Sequence, residues 1–234
     1  GARKPLEGRF CADLHHIKPP RGVFREMMTN ASTWEKLPAM AEGEKDPLRA
    51  LLRRAQKGDD AALAELCQAV RPRLYRVAYG VLKDPDAADD IAQDALVRAL
   101  NKRFLFLERG TVAGWMSTIA LNLAKNRYRD RGRRQTLRHD HRAMVERTTH
   151  SGGPQGQSAL LEERERKDRL YAAIDALPER QRDVVRLRLL GELGFKDIGR
   201  AVGISSAAAR QLFQSAKRTL TQTLTQEIGR RRVG

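Results

Sequence analysis

The sequence predicts an all-α protein of two small helical domains joined by a flexible linker, the second containing a helix-turn-helix. Three observations predict it. Apolar residues recur at three- and four-residue steps from Leu48 to Leu123 and again from Leu160 to Leu224, the period of helices that bury one face. The 234 residues hold only 6 Phe, 2 Trp and 4 Tyr, while Ala, Leu and charged residues dominate, a composition of amphipathic helices rather than aromatic-rich sheets. Between the two periodic stretches, residues 132–160 lose the pattern and carry Ser151-Gly152-Gly153-Pro154 and Gly156, the chemistry of a tether.

Each element follows in order. Residues 1–47 mix proline with small polar residues and have no sustained apolar period, so they read as a poorly ordered extension that does little for the core. Leu48, Leu51, Leu52 and Ala55 predict a first helix. Leu63, Leu66, Val70, Leu74, Val77 and Val81 predict a second, which Pro72 is expected to kink or divide. Asp84-Pro85-Asp86 is a turn, with Asp86 and Asp89 spaced as an N-cap arrangement for a helix from Ala87 to Leu100 that buries Ile91, Ala95 and Ala99 with Leu96 beside them. Lys102 to Gly114 lacks a period and reads as a loop. A further helix starts at about Val112 or Trp115, reaches about Arg131, and lines one side with Trp115, Ile119 and Leu123. Beyond the linker, residues 161–234 are punctuated at Pro178, Gly191, Gly194 and Gly203. Phe195 to Val202 is a short amphipathic helix, Gly203 permits a tight turn, and Ser205 or Ser206 caps a helix running to about Leu224.

Charge narrows the function. Lys and Arg outnumber Asp and Glu by 45 to 29, a formal charge of +16, which attracts polyanions with nucleic acid ahead of an anionic membrane. The longest uncharged stretches, such as Thr111 to Ala124, carry Thr, Ser, Gly and Asn and fall short of the ~18 apolar residues a membrane span needs. The first 26 residues have no apolar run of the kind a signal peptide requires, and Cys11 and Cys67 cannot form a disulfide framework, so a reducing cytoplasm and no membrane insertion are expected. No Ser, Cys, His or Lys stands in a motif of an activated nucleophile, so no catalytic residue and no cofactor is expected. Asp84, Asp86, Asp89, Asp90 and Asp94 are strung along a helix and its cap without a calcium-loop glycine, which makes a solvated or protein-docking face a better reading than a metal site.

Two stretches carry nucleic-acid chemistry. In the helix-turn-helix, the second helix is the kind that enters a major groove, and Arg210, Gln211, Gln214 and Lys217, with Ser206 at its start, offer donors to base edges or phosphates. On the helix from Trp115, the residues Asn122, Asn126, Arg129 and Arg133 fall on one stripe at three- and four-residue steps, widened by Arg127, Arg131 and Arg134. Amides there suit exposed base edges and guanidiniums suit phosphates, while Phe104, Phe106, Trp115 and Tyr128 are candidates to stack an unpaired base; Trp115 is better read as core.

These residues resemble bacterial sigma factors of the extracytoplasmic-function group over about Asp46 to Leu224. Ala88-Asp89-Asp90-Ile91-Ala92-Gln93-Asp94 followed by Leu96-Val97-Arg98-Ala99 is similar to that group's polymerase-binding helix, usually A-E-D-L-V-Q-E then F-L-R-A. Trp115-Met116 with Ile119-Ala120-Leu121-Asn122-Leu123-Ala124-Lys125-Asn126 is similar to its W-L-x-x-I-A-x-N-x-A-x-[DN] helix, and Leu177-Pro178-Glu179-Arg180-Gln181-Arg182 with Val202-Gly203-Ile204-Ser205 is similar to its second domain. The resemblance implies a transcription initiation factor of the bacterial cytoplasm, not an enzyme. It implies that Asp89, Asp90, Gln93 and Asp94 bind core RNA polymerase, and that Asn122, Asn126, Arg127, Arg129 and Arg133 hold the opened −10 strand of promoter DNA. The loop before that helix then takes the place of the family's specificity loop, and Ser206, Arg210, Gln211, Gln214 and Lys217 meet the −35 duplex. By the same resemblance residues 48–131 form the polymerase and −10 domain, 161–234 the −35 domain, and an anti-sigma factor is a partner.

The sequence departs from the family at three places. Leu212 and Ser215 stand where the group usually has arginines, which predicts weaker phosphate contacts. Gly199 replaces a usual Ala, which predicts a soft first helix in the pair, costing about 1 kcal/mol of propensity. A helix-turn-helix repressor acting without polymerase and a metal-dependent nuclease using the acidic cluster are the rival readings; the first would bind duplex alone, the second would stop on chelation.

Overall fold

The computed structural model describes residues 46–106, 110–137 and 154–233, and among them there are eight α-helices and no strand. We number them α1 (Pro47–Gln56), α2 (Asp60–Leu82), α3 (Pro85–Asn101), α4 (Val112–Leu137), α5 (Pro154–Asp175), α6 (Glu179–Leu189), α7 (Phe195–Val202) and α8 (Ser206–Val233). A single turn of 3-10 helix at Arg103–Leu105 follows α3.

In the first bundle α2 is the central helix, packed against α1, α3 and α4. It buries Leu66, Val70, Leu74, Val77 and Val81 along one stripe. Pro72 sits inside α2, which runs on from Asp60 to Leu82 rather than dividing there. α3 starts one residue pair earlier than its sequence suggests. Asp84, not Asp86, is the cap, its carboxylate accepting from Ala87 N at 3.0 Å with Pro85 in the first turn, where a missing N–H costs nothing. α4 also differs from expectation. Its buried side is Val112, Met116, Ala120, Leu123 and Ala124, while Trp115 and Ile119 pack half-buried at its margin.

Asp46 anchors this bundle in two places. One carboxylate oxygen accepts from Leu48 N at 3.2 Å and caps α1; the other accepts from Val112 N at 2.7 Å and holds the start of α4. Arg49 adds a bond to Gly110 O at 2.7 Å. Asp46, within the stretch 1–47 read as extension, thus packs with the first bundle; residues 1–45 lie outside the described residues.

In the second bundle α8 packs on α5, α6 and α7. Leu170, Ile174, Val184, Leu187, Ile198, Phe213, Ala216 and Leu220 form its core. α7 and α8 make the helix-turn-helix. Gly203 takes φ 73°, Ile204 N donates to Gly199 O at 2.8 Å, and Ser205 is the cap, its hydroxyl accepting from Ala208 N at 3.1 Å. Gly199 is not a soft point: a Cβ there would lie 2.7 Å from Ile204 O, so the missing side chain lets the turn close on α7.

The segment expected to be linker is entered by helix from both sides, since α4 reaches Leu137 and α5 starts at Pro154. The two bundles touch along α2 and α4 on one side and α6 and α7 on the other, and one continuous cluster of buried apolar side chains runs through both.

Candidate polymerase and promoter interfaces

α3 divides cleanly by face. Ala88, Ile91, Ala92, Ala95, Leu96 and Ala99 are buried, and Asp86, Asp90, Gln93, Asp94 and Val97 are exposed. Of the four residues predicted to meet polymerase, Asp90, Gln93 and Asp94 share this outer strip. Asp89 is different: Arg71 of α2 donates to both its carboxylate oxygens, at 3.0 and 3.1 Å, in a half-buried pair. The strip also holds Val97, 51% exposed, an apolar side chain in the middle of polar neighbours. An exposed valine flanked by carboxylates suits protein contact better than solvation. Among the described residues no group of three or more His, Cys, Asp or Glu is placed to hold a metal ion. At the head of the strip the Ala87 N–H and then Arg131, 2.6 Å away, hold the Asp84 carboxyl below the usual carboxylate range.

On α4, Asn122, Asn126, Arg129 and Arg133 are all exposed and fall within one outward quarter of the helix. Arg129 donates to Asn126 Oδ1 at 2.8 Å, so this amide and guanidinium form a unit. Arg127 is exposed too, but at 100° per residue it stands on another side of α4 from its neighbour Asn126. The aromatic candidates separate. Phe106 and Trp115 pack on each other with ring centroids 5.3 Å apart, whereas Phe104 at 66% and Tyr128 at 60% are exposed, with the Arg103 guanidinium over the Phe104 ring, 4.7 Å from its centroid. Lys125 flanks the amide stripe and bonds Asp183 at 2.7 Å and Glu179 at 2.6 Å. Burial works to lower the Lys125 ammonium pKa, but those two carboxylates outweigh it and the pKa is raised.

On α8, Ser206, Arg210, Gln211 and Gln214 are exposed and Lys217 is half-buried. Arg210 lies over the Phe195 ring, 5.3 Å from its centroid, which fixes its stem beside the turn. Leu212 packs against the core, so its replacement of an arginine supplies packing at the helix margin. Ser215 is exposed and its hydroxyl lies 3.5 Å from Gln181 of α6. Arg218, which the sequence reading passed over, is exposed one turn beyond Gln214 on the same outer side.

Two family models match the chain in this order: Sigma-70 region 2 over residues 66–134, and Sigma-70, region 4 over residues 167–220. The ECF RNA polymerase sigma factor SigW of Bacillus subtilis is 24% identical over 177 residues, covering 74% of this chain and 94% of that protein. The chain is an extracytoplasmic-function sigma factor.

Other relatives of this sigma factor agree. SigE of Mycolicibacterium smegmatis is 27% identical over 172 residues, 71% of this chain and 64% of that one. EcfG of Rhodopseudomonas palustris is 35% identical over 127 residues, 54% of this chain and 64% of the other. The chain thus spans just under two thirds of these two relatives. Two solved structures share its fold: CnrH in complex with the cytosolic domain of CnrY, at 20% identity and TM-score 0.56, and RpoE in complex with the anti-sigma factor NepR from Bartonella quintana, at 20% identity and TM-score 0.51. They cover 76% and 69% of this chain, and 96% of each of those chains is matched. As a sigma factor the protein is a transcription initiation factor and not an enzyme. The region-2 match starts at Leu66 and the region-4 match ends at Leu220, so α3 and most of α2 and α4 fall in one, and α6, α7 and about the first half of α8 in the other. No helix among the described residues is long and apolar enough to cross a membrane.

What the sequence reading missed has recognisable causes. Val97 carries no polar signal of its own, but its place four residues after Gln93 puts it on the same strip. Arg71 and Lys125 carried no motif, and their roles depend on partners 18 and 58 residues away.

Proposed function

We propose that this sigma factor recruits core RNA polymerase through the outer strip of α3 and opens promoters by capturing the −10 strand on α4. Asp90, Gln93, Asp94 and Val97 make the polymerase contact, and Asp89 supports it through Arg71. Asn122, Asn126, Arg129 and Arg133 hold the unpaired strand, with Arg127 on the phosphates to one side and the exposed ring of Tyr128, and the free face of Phe104 opposite Arg103, to stack bases. Because these groups bind single strand better than duplex, binding draws the opening equilibrium toward the melted state, and no bond is made or broken by the protein. α8 places Ser206, Arg210, Gln211, Gln214 and Lys217 in the −35 major groove. Residues 48–131 and 161–234 act as the two working units, joined through 132–160. The protein works in the bacterial cytoplasm under an anti-sigma factor, as two structures sharing its fold are complexes, one of them with an anti-sigma factor by name.

The observation that carries this reading is the pair of exposed strips on adjacent helices of one bundle, carboxylate and valine on α3, amide and guanidinium on α4. Run-off transcription with purified core polymerase on a library of bacterial genomic fragments tests it. Promoter-specific transcripts are expected with the wild type, none with Asp90→Arg, and a loss of about 5-fold or more with Asn122→Ala, as for ~1–3 kcal/mol of base contact. No transcripts, with tight duplex binding by the protein alone, would replace this reading with a repressor.

A further inference from the structure

Where α2 ends, a cavity of about 510 Å³ opens between that helix, Pro85 of α3, α5 and Leu190. None of the residues proposed above for polymerase or promoter lines it. Tyr75 and Tyr79 stack along one wall with ring centroids 6.0 Å apart, and Tyr171 meets Tyr79 edge-on at 5.8 Å. The space suits a small molecule. Its charged groups are Arg76, Lys83 and Lys167 against Asp168 and Asp175, so an anion entering it meets three cations and two carboxylates.

Lys83 enters this cavity from the end of α2. Its backbone is left-handed, φ 56°, and its N–H closes the helix on Tyr79 O at 2.9 Å, which fixes where the side chain leaves. The ammonium donates to Gly80 O and stands 4.0 Å from the centre of the Tyr171 ring. Its carboxylate neighbour holds it loosely: Asp175 lies 3.6 Å away, and the other oxygen of that carboxylate takes Arg186 at 2.7 Å. Lys125, by contrast, has carboxylates at 2.6 and 2.7 Å. Burial, helped by Arg186 and Arg182 against Asp175, brings the Lys83 pKa from 10.5 down to about 8. Near pH 7.5 the unprotonated share of such an amine is about 200-fold that of an ordinary lysine.

We propose that Lys83 is a nucleophilic lysine that takes an acyl group from a small acyl phosphate entering this cavity. Arg76 and Lys167 in the wall favour an anionic donor over a neutral one. The unprotonated Nζ adds to the acyl carbonyl carbon. The bond from that carbon to the phosphate oxygen then breaks, phosphate leaves with the electron pair, and the proton released by the nitrogen passes to it. The products are an amide at Lys83 and inorganic phosphate, and nothing is oxidised or reduced. The amide carries no charge, so the mark withdraws the cation from Tyr171 and Asp175 while every residue of the proposed polymerase and promoter strips stays chemically unchanged.

Peptide mass spectrometry of the full chain incubated with acetyl phosphate near pH 7.5 tests this, with exposed Lys57, Lys102 and Lys196 as internal references. A less basic amine is intrinsically slower, which offsets about 10-fold of its larger unprotonated share, so Lys83 should gain acetyl groups roughly 10-fold faster than the references. Unfolding in guanidinium chloride should erase that lead, because the unfolded chain has no cavity. Ala172→Glu puts a carboxylate on the exposed lip of the cavity, which favours the ammonium and repels the donor. It should cut the Lys83 rate about 10-fold and leave the references unchanged. Equal rates at Lys83 and the references in the folded wild type would overturn the proposal, as would a lead that survives unfolding or Ala172→Glu. A lead seen with uncharged N-acetoxysuccinimide but not with acetyl phosphate would overturn the donor. Should Ala172→Glu lose far-UV helicity, the folded and unfolded wild type decide.

Discussion

Raising the pH from 7 to 9 should stabilise this protein, and one side chain accounts for it. Lys83 ends α2 at φ 56° and turns its ammonium into the seam between the bundles, where it donates to Gly80 O and lies 4.0 Å from the centre of the Tyr171 ring. Burial, opposed by Asp175, pushes its pKa down from 10.5 to about 8. An unfolded chain therefore keeps a proton through pH 8 to 10.5 that the folded chain has released, so stability rises with pH across that window. The charged form costs about 3 kcal/mol at neutral pH if the whole shift is counted, and about 1 kcal/mol of that is regained between pH 7 and 9. Water reaches 31% of the side chain, which makes these upper figures. Cys67 opposes the trend, since burial raises its thiol pKa and unfolding gains stability as pH passes 9, so a Cys67→Ala background isolates the lysine. Tyr75 and Tyr171, both raised by burial, act only above about pH 10. Urea unfolding followed by circular dichroism at pH 7 and pH 9 should show a gain approaching 1 kcal/mol, and Lys83→Met should abolish it. Equal pH slopes with and without Lys83 would refute the reasoning.

Three further outcomes follow from named contacts. Asp84→Ala should cost about 1 kcal/mol of stability from the lost cap, read in the same urea titration. Asp89→Ala should destabilise the first bundle by about 1–3 kcal/mol, because Arg71, whose Nε is already buried without a partner, loses its carboxylate; Asp90→Ala should leave the unfolding midpoint unchanged while weakening polymerase binding in a pull-down. Arg129→Ala should weaken binding of a single-stranded −10 oligonucleotide by the polymerase holoenzyme more than Arg127→Ala, because only Arg129 shares the amide side of α4.

Periodicity made most of the helices legible. The runs Leu66 to Val81 and Ile91 to Ala99 are buried on the faces their spacing predicts. Local rules failed where two of them competed. Asp84 and Asp86 are equally good caps by type, and Pro85 decides between them because it fits the first turn of the helix that Asp84 opens. Trp115 and Ile119 were expected to line one side of α4 with Leu123, yet Val112, Met116, Ala120 and Ala124 share the buried side with Leu123 while Trp115 and Ile119 pack at its margin. Gly199 read as a propensity defect until the turn after α7 closed over it. The exposed amide and guanidinium stripe on α4 was legible because its residues are neighbours on one helix, whereas the seam between bundles was not. Its partners, such as Arg73 and Glu192, are 119 residues apart and share no local pattern.

Asp46 couples the front of α4 to the start of the first helix. Its two oxygens tie the first turn of α1 to the first turn of α4, so a single side chain links the start of one helix to another that begins 66 residues after it. Proteolytic trimming that removed Asp46 would free the front of α4 while leaving every amide and guanidinium of its outer stripe in place.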